Sequence, residues 1–385
     1  MMSINDRILN IASSNTKLMA FVYDHYKHSV EKDVQKLVEE QSKYDTIKEI
    51  EPLLELKNKI LEKKCKFVSY NGNMSNYRMY GISNALFENG FDKVYELPSV
   101  EHGLIFYNQN WTDTALTARA SCVTFGPFRK QILQRYYKTP VFEVGPYIQY
   151  ADNYYNHMQM VEWKDKLGKT LLVFPMHSTD DSVLNYNNQL YIQEIEKRAK
   201  EYDSVIISVF WWNLDDGIVR QFKKMGYHIA SAGYREDPNF LRRQRAMIEV
   251  ADHVISDSVG THIGYCYKLG KQVEFITVDT HIKINEVTSD KERFNRKQRK
   301  IVQDVIEKGN SNEVDNIMNF YWGNNINLTR EQLNAIVDIN RDITISGNFW
   351  KRDYEKVARE LLNEYRVKDI LKYDLLKKSI DNKGY

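Results

Sequence analysis

The sequence carries a few short stretches whose residue types and spacing can do chemistry. Ser256-Asp257-Ser258-Val259-Gly260-Thr261-His262 sets hydroxyls, an imidazole and a glycine directly before a helical pattern. The start of a helix presents backbone N–H groups and the positive end of the macrodipole, so such a stretch suits a phosphate. Ser256, Ser258, Gly260, Thr261 and His262 are therefore candidate phosphate ligands, with simple N-capping as the competing explanation. His177 in Phe174-Pro175-Met176-His177-Ser178-Thr179-Asp180-Asp181 follows a strand-like run. An imidazolium there can meet a phosphate or protonate a departing one, with Ser178 as a second donor. Glu101-His102-Gly103 offers two groups able to take a proton from a hydroxyl, beside a glycine that lets a substrate approach the backbone. Asp215-Asp216-Gly217 pairs two acids, but Asp before a helix is a common N-cap, and that reading is preferred.

Weaker candidates surround these. Arg235, in Tyr234-Arg235-Glu236-Asp237, can pair with a phosphate or a sugar carboxylate. Arg242 and Arg243 are expected on a solvated helix face, as are Arg129, Lys130 and Arg135 and the run KERFNRKQRK at 291–300. The last two groups could also meet an acidic glycan or a membrane surface. Asn71-Gly72-Asn73 could line an acceptor groove. Asp24-His25 and His28 have no further ligand nearby in sequence, so no metal site is expected.

The elements that must hold these residues are legible from periodicity. Apolar positions at helical spacing over 4–63 predict two or three helices. Strands are predicted at 66–70, 93–97, 104–107, 121–125 and 140–144, with helices at 76–87 and 128–137. From 168 onward the pattern becomes regular. Strands at 170–175, 204–210, 227–231, 253–257 and 273–276 alternate with helices at 188–202, 215–225, 239–250 and 260–269, the last capped by Gly270. Such alternation marks a parallel, doubly wound sheet, whose ligands sit beyond the carboxyl ends of the strands. After 285 the chain reads as charged helices.

Composition narrows the class of protein. Over 385 residues, hydrophobic content is 42% and charged content 28%, with a formal net charge of +2, too small to argue for nucleic-acid binding. Cys65, Cys122 and Cys266 share no metal or redox spacing and are expected as buried thiols. The opening MMSINDRILNIASSN has neither a basic start nor an apolar core, so a cytoplasmic location is expected, with contact at the inner face of the membrane as an option.

Three elements in order resemble the short motifs of bacterial sialyltransferases, polysialyltransferases and related capsule or lipopolysaccharide enzymes of the two-Rossmann-domain (GT-B) glycosyltransferase type. Glu101-His102-Gly103 matches their acidic-x-Gly motif, His177-Ser178 matches a His-Pro motif at the histidine alone, and Ser256-Asp257-Ser258 loosely matches a Ser-rich motif. The resemblance covers about 65–280. It implies Glu101 as general base, His177 as phosphate contact or general acid, and Ser256 and Ser258 as phosphate ligands. It also implies an α/β GT-B-like fold of two Rossmann-type parallel-sheet domains, with a helical N-terminal extension and a helical C-terminal tail. The expected boundaries are a helical extension at 1–64, an acceptor-side domain at 65–150, a nucleotide-sugar domain at 151–285 and a helical region at 286–385. The expected substrates are a nucleotide-sugar donor and a glycan or lipid-linked glycan acceptor, with no cofactor, no metal and no nucleic acid. A nucleotide-sugar epimerase of the same architecture and a non-catalytic glycan-assembly scaffold are the alternatives.

Overall fold

Short runs of β-branched and aromatic residues build two separate parallel sheets in this α/β chain. The computed structural model describes residues 32–62, 79–87, 97–108, 120–136, 138–175, 182–186, 188–276, 280–284, 290–347 and 353–380. The described residues within Lys66–Tyr147 and Met318–Tyr385 form one compact unit, and those within Val34–Cys65 and Ile148–Ile317 the other.

In the first unit, β1 (Ser99–Val100), β2 (Cys122–Thr124) and β3 (Val141–Glu143) pair in parallel in that order. Helix Pro127–Tyr136 links β2 to β3, and its Leu133 packs with Cys122 and Val141 in the core. Pro127 opens that helix, where a missing N–H costs nothing. At the carboxyl end of β2 two glycine backbones touch. A Cβ on Gly126 would stand 2.6 Å from Gly323 N, and one on Gly323, whose φ is +69°, would stand 2.6 Å from Phe125 O. Helices Arg330–Ser346, Tyr354–Lys368 and Ile370–Ile380 complete the unit.

The predicted strand at 104–107 is not one. Leu104 and Phe106 are buried, but Phe106 packs against Phe128, Tyr321 and Trp322, and the Tyr107 carbonyl accepts from Arg129 Nη1 at 2.9 Å. A side chain takes the place of a neighbouring strand. The predicted strand at 66–70, all but the end of that at 93–97, and Asn71-Gly72-Asn73 lie outside the described residues.

The second unit carries β4 (Thr170–Phe174), β5 (Ser182–Tyr186), β6 (Ser204–Ser208), β7 (His228–Ala230), β8 (His253–Ser256), β9 (Val273–Phe275) and β10 (Thr280–Ile284). Five of these form a wholly parallel sheet in the order β7-β6-β4-β8-β9. Every β4 residue is buried, as a strand covered on both faces requires. Helices Asn188–Ala199, Gly217–Lys224, Phe240–Val250 and Thr261–Lys268 make the crossovers, and Gly270 at φ +75° ends the last.

Helices were expected over 4–63, but two pairings have no local signal in the sequence. β5 and β10 pair antiparallel as a separate two-stranded ribbon. Helices Lys32–Gln41 and Glu51–Glu62 flank a segment stitched to the sheet, where Ser231 N donates to Thr46 O at 3.3 Å and Thr46 Oγ1 to Ser231 O at 3.2 Å.

Candidate functional site

In chain order, the five strands of the larger sheet stand third, second, first, fourth and fifth. Crossovers therefore run in opposite directions from β4 and β8, which lie side by side with Phe174 opposite Ser256. The crevice at their carboxyl ends is the position at which open parallel sheets take ligands. The Ser256–His262 stretch leaves β8 at this crevice. β5 and β10 follow β4 and β9, the two neighbours of β8, so their ribbon links the chain on both sides of that stretch.

Ser256 is fully buried and works inside the loop. Its Oγ lies 2.9 Å from His262 Nε2, 3.0 Å from Ser258 O and 3.3 Å from Phe174 O, and it accepts from Ser258 N at 3.3 Å. A hydroxyl has one proton and two lone pairs, so these contacts tie the strand end to the loop and to the imidazole. The His262 ring also lies 4.8 Å from the Phe174 ring. Gly260 makes room for it, because a Cβ there would stand 3.0 Å from Nδ1 and 3.1 Å from Cε1. Ser258, Gly260, Thr261 and His262 are half-exposed at the start of helix Thr261–Lys268 and can face a ligand. Ser256 positions them. Behind the loop, burial and the Asp257 carboxylate beside it push the Tyr191 phenol well above its ordinary pKa.

The remaining candidates of this unit fall elsewhere. His177 and Ser178 lie outside the described residues. Arg235 is half-buried after β7, three strand spacings (~14 Å) from β8 in the sheet order. Arg243, expected in solvent, is fully buried, ion-paired with Asp237, and bonded at 3.0 Å to both Ser42 O and Tyr44 O. It closes the loop after β7 onto the segment at 42–44. Asp216 stands at the N-cap of helix Gly217–Lys224, but its side chain accepts from Asn213 at 2.8 Å and makes no capping bond. Asp215 pairs with Lys57 at 2.5 Å.

In the first unit Glu101 follows β1 directly, and its carboxylate is wholly engaged. Arg129 Nη2 donates to Oε1 at 2.6 Å, Arg129 Nε to both oxygens at 3.1 and 3.2 Å, and Thr124 Oγ1 to Oε2 at 2.5 Å. The paired side chains are 0% and 1% exposed. Arg129, expected on a solvated face, is thus buried. The Glu101 carbonyl accepts from Tyr147 Oη at 2.8 Å, which fixes the turn from behind. His102 is half-exposed, with its ring 6.1 Å from that of Tyr80. Among the described residues Tyr80 is the one non-glycine with positive φ, at 60°. Such backbone strain is a mark of functional positions. One signal for Arg129 was in the sequence: a cation in the first turn of a helix opposes the macrodipole and needs a partner.

No protein-family model matches this sequence, and no curated protein matches it. Among the described residues, no group of three or more His, Cys, Asp and Glu is arranged to hold a metal ion, and no helix is long and apolar enough to cross a membrane. Cys122 and Cys266 are buried thiols, and burial pushes the Cys266 thiol far above its ordinary pKa.

Proposed function

We propose that this chain is a metal-independent glycosyltransferase of the GT-B type, moving a sugar from a nucleotide-sugar donor to a surface glycan. One observation carries the reading: Ser258, Gly260, Thr261 and His262 stand together at the β4/β8 switch point, at the start of a helix. In this reading the donor phosphates lie against helix Thr261–Lys268, with the Ser258 and Thr261 hydroxyls and the Ser256-held imidazole as donors. The bond between the anomeric carbon of the sugar and the phosphate oxygen breaks, and its electron pair stays on the phosphate. The helix dipole and His262 offset that charge. The acceptor oxygen bonds to the anomeric carbon and gives its proton to a general base; of the two groups in the first unit able to take a proton, His102 is more open than Glu101. Glu101 then holds the turn that presents His102.

The test is donor turnover with CMP-, UDP-, GDP-, CDP- and TDP-sugars in the presence of glycan or lipid-linked acceptors. His262→Ala is expected to lower kcat/KM about 10²- to 10³-fold, as loss of one donor to a developing anion does. Donor turnover that needs no acceptor and leaves an epimerised sugar would replace this reading with the epimerase.

A further inference from the structure

Against the β6 and β7 strands of the larger sheet, the second unit contains a cavity of about 260 Å³. Leu167, which precedes β4, His228, which opens β7, and Val250, which precedes β8, all line it. Ile206 within β6 and Ala230 at the end of β7 line it too, so it runs along the β6–β7 edge of the sheet, and no residue of the Ser256–His262 loop lines it. Its floor is apolar, with Ile206, Met247 and Val250 buried in the core. Its walls are aromatic: Tyr155, Trp163 and Tyr227. The Tyr155 hydroxyl donates to Asp45 at 2.8 Å, which holds that ring in place.

The charges around it are unbalanced. Lys48, Lys166, Lys223 and His228 all line the cavity, against Glu51 as the one carboxylate among its lining residues. Glu51 is already paired with Lys223 at 3.1 Å. Lys48 and Lys166 have no carboxylate partner among the described residues, and Lys166 Nζ rests 5.3 Å above the Trp163 ring. Partial burial, and then the Lys166 ammonium, hold His228 below its ordinary pKa, so this corner already resists further positive charge. An apolar floor, flat aromatic walls and a cationic rim together specify a ligand. The volume admits about one ring, since a dry cavity of ~150 Å³ already holds benzene. The lysines supply the counter-charge for an anionic substituent, and Trp and Tyr faces stack on a planar ring.

We propose that this cavity is a second binding site, taking a single-ring ligand that carries a phosphate or carboxylate. The proposal does not depend on the nucleotide-sugar reading, because the two sites share no lining residue. The test uses the full chain and three probes, phenyl phosphate, phenol and inorganic phosphate, followed by calorimetry and by the His228 ring resonances. Phenyl phosphate is expected to bind about tenfold more tightly than either fragment, with the His228 resonances moving on titration. Lys48→Met with Lys166→Met is expected to weaken it about tenfold, both side chains being exposed and dispensable for folding. Ser258→Ala is expected to leave it unchanged. Phenyl phosphate binding no tighter than phosphate overturns the proposal. So does binding that survives the double lysine variant, or that is lost in Ser258→Ala and so belongs to the loop.

Discussion

Arg129 Nη2 stands 2.6 Å from Glu101 Oε1, with both side chains out of solvent. The pair joins the end of β1 to the first turn of helix Pro127–Tyr136, and Thr124 at the end of β2 supplies a further donor. A charge left alone at such a depth is far more costly than the pair is worth.

Glu101→Gln is accordingly expected to destabilise the first unit by about 3–5 kcal/mol, read from urea unfolding. Adding Arg129→Met removes the orphaned cation, so the double variant is expected to lose less than the sum of the two single changes. Simple addition of the two losses would show that the pair does not act as a unit.

Ser256 and Ser258 are two residues apart and are expected to fail differently. Ser256→Ala empties a buried network of four contacts and is expected to cost about 1–3 kcal/mol of stability. Ser258→Ala, half-exposed, is expected to stay within about 0.5 kcal/mol of the parent while weakening nucleotide binding. Equal losses of stability in the two variants would contradict the roles assigned here.

Gly260 has an ordinary extended φ of −147°, so a methyl group there meets no backbone strain. It meets the His262 ring instead. Gly260→Ala is expected to turn the imidazole away from Ser256 and reduce nucleotide affinity about tenfold, a cost of ~1.4 kcal/mol in binding. Calorimetric affinity equal to that of the parent would show that the ring position does not matter.

The larger sheet was legible almost strand by strand because it is covered on both faces. Continuous apolar runs such as Leu171-Leu172-Val173-Phe174, punctuated by Gly270 and by cap residues, leave few alternatives. The order β7-β6-β4-β8-β9 is a tertiary fact, and no local pattern specifies it. The run at 104–107 misled because a buried alternating segment can satisfy its carbonyls through an arginine as well as through a strand. The loop at 256–262 announced itself through its hydroxyls, glycine and histidine. Sequence could not tell that Ser256 faces inward and Ser258 outward, since that depends on where Phe174 and His262 pack. The ion pairs Glu101–Arg129 and Asp237–Arg243 were hidden for a similar reason. Their surroundings come from segments distant in the chain, such as the Tyr44 carbonyl beside Arg243.

His228 is expected to give the second unit a pH dependence whose sign follows from its surroundings. Its folded pKa lies below the ordinary 6.5, first through burial and then through Lys166. The unfolded chain therefore takes up this proton first as pH falls. Stability present above pH ~6.5 is lost as pH drops through that value toward the folded pKa. Unfolding midpoints from pH 7.5 to 5 are expected to fall more steeply for the parent than for His228→Gln. Parallel profiles would show that the imidazole contributes nothing.

Binding of a donor nucleotide at the Ser256–His262 loop is tested most directly by thermal unfolding against CMP-, UDP-, GDP-, CDP- and TDP-sugars. A ligand at about a hundred times its dissociation constant adds ~2.7 kcal/mol to the folded state. A clear upward shift, measured from each protein's own unliganded midpoint, is expected with one nucleotide class and is expected to be lost in His262→Ala. No shift with any of the five classes, or a shift untouched by His262→Ala, would contradict it.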